Sequence, residues 1–192
     1  MELIRRALGA LRRLFGGARP RRSRAPTPGD LPSWAQVGRR RRAHIRRVAD
    51  LLEEWAEEMD IPDRERDRWL KAAWLHDALR DARLREGLAH GAAAADRAER
   101  DGESDRGVLD AVRYHSWGYA GWDDVGKMLY LADYLEPGRR RNAKQRAYLA
   151  DRVPRQRDRV LRKIVAYEIR RRVRARQPVP TVTVEFWNSL TR

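Results

Sequence analysis

Apolar residues along this chain recur at intervals of three and four rather than two, and that spacing predicts a series of helices with almost no strand. In residues 2–15, Leu3, Ile4, Ala7, Leu8, Leu11, Leu14 and Phe15 form one stripe while Arg5, Arg6, Arg12 and Arg13 lie outside it, the pattern of a basic amphipathic helix. Residues 16–37, GGARPRRSRAPTPGDLPSWAQV, have no such period and read as a Gly/Pro/Arg-rich linker, which leaves 38–192 as the folded domain. A helix over 43–59 gathers His44, Val48, Leu51, Leu52, Trp55 and Met59 on one face and stops before Ile61-Pro62. A second, over 63–79, carries Trp69, Leu70, Ala73 and Trp74 and then His76-Asp77. Gly87 precedes an Ala-rich third helix with His90, and Ser104 opens a fourth whose inner face is Val108, Val112 and His115. A fifth, over 122–136, presents Val125, Met128, Leu129, Ala132 and Asp133 until Pro137-Gly138 stops it. Helices over 142–152 and 154–175 follow, the second packing Val160, Leu161, Ile164, Val165 and Val173 with arginines on its other face. The closing PVPTVTVEFWN reads as a short extended tail. The expected fold class is all-α.

Charge changes this picture only at the two ends. The net charge is +15, but residues 1–42 carry +10 and residues 138–192 carry +13, so residues 43–137 carry −8. The basic flanks therefore say little about what the central segment acts on. No cysteine is present, which excludes disulfides, zinc ribbons and thiolate catalysis and accords with a cytoplasmic location. Arginines interrupt the N-terminal apolar residues too often for a secretory signal, and no run approaches a membrane span.

The stretch Ala72 to Arg80, AAWLHDALR, sets an imidazole and a carboxylate where an apolar face should continue. Burying an unpartnered polar group costs roughly 2–7 kcal/mol, so the pair needs compensation. The chain has four histidines, and each falls on or beside the inward face of a different predicted helix, as Asp77 and Asp133 do. One such histidine is usually a hydrogen-bonded core residue. Four with two aspartates form a nitrogen and oxygen donor set suited to Fe, Mn, Zn or Co, and six such donors on separate helices can hold two ions when one carboxylate bridges them.

In order along the chain these residues, with AHIRRV, AAWLHDALR, LAHG, RYHSWG and LYLADYLEPGRR around them, resemble the HD phosphohydrolase superfamily in its six-ligand, two-metal form. Within it they are similar to the YqeK family of symmetrical bis(5'-nucleosyl)-tetraphosphatases, LADYLEPGR with Lys127 upstream being the most specific segment. The resemblance spans about residues 38–189 and implies an HD-domain helical bundle. It further implies one ion on His44, His76, Asp77 and Asp133, and a second on Asp77 as bridge with His90 and His115, with His76 and Asp77 catalytic. Family precedent points to iron, while donor softness leaves manganese, cobalt and zinc open. The implied reaction cleaves diadenosine tetraphosphate to two ADP, for which two cations about 3.5–4 Å apart provide an activated water and charge compensation. Arg139, Arg80 and Lys127 are candidate phosphate contacts, and Trp117, Tyr119 and Trp122 candidate base-stacking residues. Glu136 reads as a helix-end or arginine partner rather than a ligand. Arg80 stands where the family usually has lysine, and Trp122 where it usually has methionine, so substrate preference follows less firmly from the resemblance than metal binding does.

Other readings stay open at this level. The chain is alternatively another HD phosphohydrolase, acting as a nucleotidase, alarmone hydrolase or phosphodiesterase, or a basic membrane or RNA adaptor whose pocket is structural. The helix at 2–15 fits docking on its own domain or on a second subunit in a homodimer, an anionic inner membrane surface, or RNA bound together with Arg39–Arg42.

Overall fold

The computed structural model describes residues 31–84 and 89–191, so the basic helix expected at 2–15 lies outside the described residues. Among the described residues there are eight α-helices and no strand, in agreement with the all-α expectation. They are α1 (Arg39–Glu58), α2 (Asp63–Leu75), α3 (His90–Arg100), α4 (Arg106–Tyr114), α5 (Asp124–Leu135), α6 (Ala143–Ala150), α7 (Val153–Arg174) and α8 (Thr181–Leu190). None of them is long and apolar enough to cross a membrane.

The sequence of α5 explains the architecture. It buries Val125, Gly126, Met128, Leu129, Tyr130, Leu131, Ala132 and Leu135, so it is apolar nearly all round and must be covered on every side. It packs against α1, α2, α4, α6 and α7, with α1 against α2 and α3 against α4 completing the bundle. Leu31, Trp34 and Val37, ahead of α1, pack against the same core.

Helix α1 starts at Arg39, four residues before the expected 43. Arginine is a good helix former, so the cationic run extends the helix rather than delaying it. Helix α2 stops at Leu75 rather than 79, and residues 76–82 form tight turns closed by Ala78 N–H to Leu75 O and Arg80 N–H to Asp77 O. The helix N-cap ahead of α4 is Asp105, not Ser104; its carboxylate accepts from the Val108 N–H at 3.1 Å.

The tail is the one element that the structure reverses. Residues Thr181–Leu190 form α8 instead of an extended segment. The β-branched run favours strand only where a sheet exists to receive it, and here tertiary packing decides. Phe186 is buried against Trp122 and Tyr130, with ring centroids 5.1 and 5.9 Å away, and the Thr183 hydroxyl donates to the Trp117 carbonyl at 2.8 Å. Burying one such aromatic contributes about 1.5–3 kcal/mol. Gly118 permits the approach: its φ is +86°, and a Cβ there would lie 2.2 Å from Phe186 Cδ1.

One guanidinium ties three helix starts together. Arg68 donates to both Asp105 oxygens (2.7 and 2.9 Å), to Glu65 in the first turn of α2 (2.7 Å) and to Asp123, the N-cap of α5 (2.7 Å). Arg68 holds the Asp105 carboxyl down at about 2. A depressed carboxyl stabilises the fold in full above its unfolded value near pH 4 and loses that contribution as pH falls through about 2. Asp105→Ala is therefore expected to cost about 1–2 kcal/mol at pH 7. Urea unfolding should show the difference from wild type shrinking between pH 4 and 2; a pH-independent difference would assign the loss to packing alone.

Candidate metal centre

The chemically active side chains are delivered by five different helices. His44 lies on the buried face of α1, His76 and Asp77 follow the end of α2, His90 opens α3, His115 caps α4, and Asp133 sits in the last turn of α5. His76 keeps helical dihedrals (φ −56°, ψ −40°), so its ring continues along the α2 face although the helix has ended. All six converge. His44, His76 and Asp133 form one group, and Asp77, His90 and His115 a second, with the donor atoms of each group within 4.8 Å of one another.

Asp77 faces both groups. Its Oδ2 is 3.6 Å from Nε2 of His44 and of His76, while its Oδ1 is 3.1 Å from His90 Nε2 and 3.6 Å from His115 Nε2. His44 Nε2 lies 3.1 Å from Asp133 Oδ1. The ring centroids of His44 and His76 are 5.5 Å apart, and those of His76 and His115 5.1 Å.

The opposite ring nitrogens fix which atoms are free to bind. His76 Nδ1 sits 2.7 Å from the Ala73 carbonyl and His115 Nδ1 2.8 Å from the Val112 carbonyl. A carbonyl only accepts, so each Nδ1 carries the proton and each Nε2 is left as the acceptor that faces inward. His44 Nδ1 is held in the same way by Glu136 Oε1 at 3.2 Å. The Nε2 atoms of His44 and His76 are buried without a hydrogen-bond partner. Two orphaned lone pairs beside two carboxylates fit a divalent cation and leave a core of ordinary hydrogen bonds unexplained. His90 differs: Arg80 donates to its Nδ1 at 2.9 Å, so its proton lies on Nε2, 3.0 Å from His115 Nε2.

Electrostatics keep both aspartates ionised. Burial raises the Asp77 carboxyl, but His76, His115 and His90 around it win and hold it far below the usual range. Burial opposes ionisation of Asp133 too, and His44 and Arg139 outweigh it. Burial pushes His76 down to about 4, so it is a neutral imidazole near pH 7. Burial acts the same way on His44, yet Asp133 and Glu136 beside it carry the net shift upward.

Three arginines compensate the carboxylates. Arg41 donates to Asp77 Oδ2 at 2.6 Å, Arg139 to the Asp133 carboxylate and, through Nε, to its carbonyl at 2.7 Å, and Arg47 to Glu136. Sequence reasoning missed Arg41 and Arg47, although the signal was there: they stand three residues to either side of His44, on the same face of α1. Glu136 is an arginine partner as expected, and its bond to His44 was not foreseen.

The remaining candidates fall outside the cluster. Lys127 is half-buried on α5, almost two turns before Asp133. The Trp117 ring is covered by Arg172 at 4.7 Å, Tyr119 stacks on Tyr114 at 4.5 Å, and Trp122 is a core residue whose indole N–H donates to the Asp110 carbonyl.

Gly91 sets how closely α3 and α4 approach. A Cβ at this position would lie 2.7 Å from the Val112 carbonyl oxygen and 3.0 Å from His115 Cε1. Gly to Ala within a helix ordinarily stabilises by about 0.5–1 kcal/mol. Here Gly91→Ala is expected to destabilise by about 1–3 kcal/mol, because the obstacle is backbone that cannot rotate away. A melting temperature at or above wild type would contradict the close approach.

Residues 41–155 match the family model described as HD domain, a stretch that contains all six donors. The chain belongs to the HD domain family. As an HD-domain hydrolase it falls in a group that binds divalent metals, in keeping with its two donor groups. A curated relative, the symmetrical bis(5'-nucleosyl)-tetraphosphatase of Bacillus subtilis (strain 168), is 47% identical over 38 residues, 20% of either chain. The match thus spans a fifth of that relative's length. A crystal structure described as a predicted HD superfamily hydrolase involved in NAD metabolism, from Clostridium acetobutylicum, superposes with a TM-score of 0.68 and 22% identity over 80% of this chain and 90% of that one. At that identity the likeness shows the HD-domain fold.

Proposed function

We propose that this HD-domain hydrolase is a dinuclear, metal-dependent phosphohydrolase that cleaves diadenosine tetraphosphate symmetrically to two ADP. The observation that carries the reading is the meeting of two donor groups on the two oxygens of one carboxylate, Asp77. His44, His76 and Asp133 would hold one ion, His90 and His115 the other, and Asp77 both. Two divalent cations supply a water nucleophile at neutral pH and offset charge on the phosphoryl oxygens. The short stretch of identity to a symmetrical tetraphosphatase supports the substrate.

The chain's own residues then do the positioning. The protonated Nδ1 atoms of His76 and His115, anchored on backbone carbonyls, hold those rings in the tautomer a ligand needs. Arg139, half-buried on Asp133, Arg80, on His90, and Lys127 are the candidates to bind the phosphate chain. Water adds to one of the two inner phosphorus atoms, the bridging P–O bond between the inner phosphates breaks, and each half departs as ADP with the released proton passing to solvent.

Product analysis tests this. With ferrous or manganous ion under anaerobic conditions, ADP is expected as the sole nucleotide product of diadenosine tetraphosphate. AMP with ATP would contradict symmetrical cleavage, and no turnover with either metal would contradict the substrate.

A further inference from the structure

We propose that the cleft between α1 and α6 is a nucleoside subsite, which takes the base and ribose of a nucleoside phosphate whose phosphates reach the metal centre past Arg139. The proposal rests on the nucleotide-hydrolase reading above and assigns a place to the organic half of its substrate.

The cleft has a volume of about 370 Å³, inside the roughly 300–1,000 Å³ typical of small-molecule sites. Leu51, Trp55 and Leu135 form an apolar floor, and Ala143 and Ala147 of α6 a low wall. Two features join it to the centre. Its inner end is lined by Glu136, which holds His44, and Arg139, which holds Asp133. Leu51 also stands seven residues beyond His44 on α1, about 10 Å at the rise of a helix.

The outer end has the opposite character. Glu54 and Glu58, one turn apart on α1, and Asp151, at the C-terminus of α6, line it. Glu58 is paired with Arg155, and the Arg146 guanidinium, which also lines the cleft, is held over the Tyr134 ring and on the Arg141 carbonyl, so a phosphate at this end would meet the carboxylates of Glu54 and Asp151 and the carbonyl end of α6, which repel anions. A neutral group with hydrogens to donate is favoured at that end, whereas Arg139 favours an anion at the other. An anionic end, a flat apolar middle and amine and hydroxyl donors beyond it are the order of groups in a nucleoside phosphate. Neither a free inorganic phosphate nor a lipid headgroup with its acyl chains has that order. Trp117 and Tyr119, the base-stacking candidates, each have one ring face taken, by Arg172 and by Tyr114.

The test fills the cleft from its exposed wall. Full-length protein loaded with manganese, as wild type, Ala147→Trp and Ala143→Trp, is titrated calorimetrically with ADP and with inorganic tripolyphosphate. Both alanines are exposed, so the larger side chains leave the core untouched. The expected result is a fall of at least tenfold in the ratio of ADP to tripolyphosphate affinity in either variant. An unchanged ratio in both, an equal loss of both ligands, or no ADP binding to wild type would overturn the subsite. Failure to hydrolyse diadenosine tetraphosphate would instead count against the hydrolase reading, and the affinity ratio would still decide the cleft.

Discussion

Asp77→Ala is expected to leave a folded protein that retains neither ion and turns over no diadenosine tetraphosphate above background. The expectation follows from geometry: Asp77 Oδ2 faces His44 and His76, and Oδ1 faces His90 and His115, so each donor group loses its shared carboxylate at once. Alanine also leaves Arg41, bonded to Asp77 at 2.6 Å, without its carboxylate partner beside the inward imidazoles. Bringing a divalent cation into that field is opposed by a charge of the same sign. Asp133→Ala supplies the control, because Asp133 belongs to one group only. It is expected to lower the metal content by one ion per chain where Asp77→Ala lowers it by two. Equal losses in the two variants would remove Asp77 from its bridging position, and circular dichroism of each variant separates loss of metal from loss of fold.

The second large effect is expected at Glu136, a residue that would hold no metal ion in this account. Its carboxylate is 2% exposed and accepts from His44 Nδ1, Arg47 Nε and the Gly138 N–H. Burial opposes its ionisation, yet those three donors prevail and hold its carboxyl at about 2, so it is charged across the neutral range. Outer partners of this kind set the tautomer and aim of a metal-binding imidazole, and losing one typically costs 10–100-fold in metal affinity. Glu136→Ala is thus expected to weaken metal binding by about 10–100-fold while the second ion, on His90 and His115, is held nearly as before. Glu136→Gln keeps an oxygen acceptor for His44 Nδ1 and should recover part of the loss. Metal titration against a competing chelator reads both variants. Wild-type affinity in Glu136→Ala would show that His44 needs no such support.

Much of this was legible because the chain is helical and helices advertise themselves by period. The residues buried on α4 and α5 include the apolar positions that spacing puts inward, as do Val48, Leu52 and Trp55 on α1, where Leu51 is only partly buried; the polar exceptions on those faces, His44, His115 and Asp133, are the ones brought to the centre. What periodicity cannot supply is the identity of a partner far along the chain. Arg41 meets Asp77 across 36 residues and Glu136 meets His44 across 92, and no local pattern pairs them. The tail shows the converse failure. TVTVEFWN has the composition of a strand, but with Phe186 seated between Trp122 and Tyr130 the helix is what buries it. Residue type alone marks Trp117 and Tyr119 as base-stacking candidates; that Arg172 and Tyr114 each lie against one of these rings comes from packing that the sequence does not display.

The basic flanks divide in the same way. The arginines of residues 39–42 extend α1, and one of them, Arg41, turns inward to an acidic ligand candidate. Others on α7 stay at the surface, with Arg171 paired to Glu168 at 2.8 Å. Charge counted by segment is therefore a poor guide to what a given arginine does.

The central claim is that four imidazoles and two carboxylates, separated in sequence, together hold a pair of divalent cations. Elemental analysis of full-length protein purified anaerobically tests it most directly. Two transition-metal ions per chain are expected. A content of one or none that persists after reconstitution with ferrous and manganous ion would contradict it.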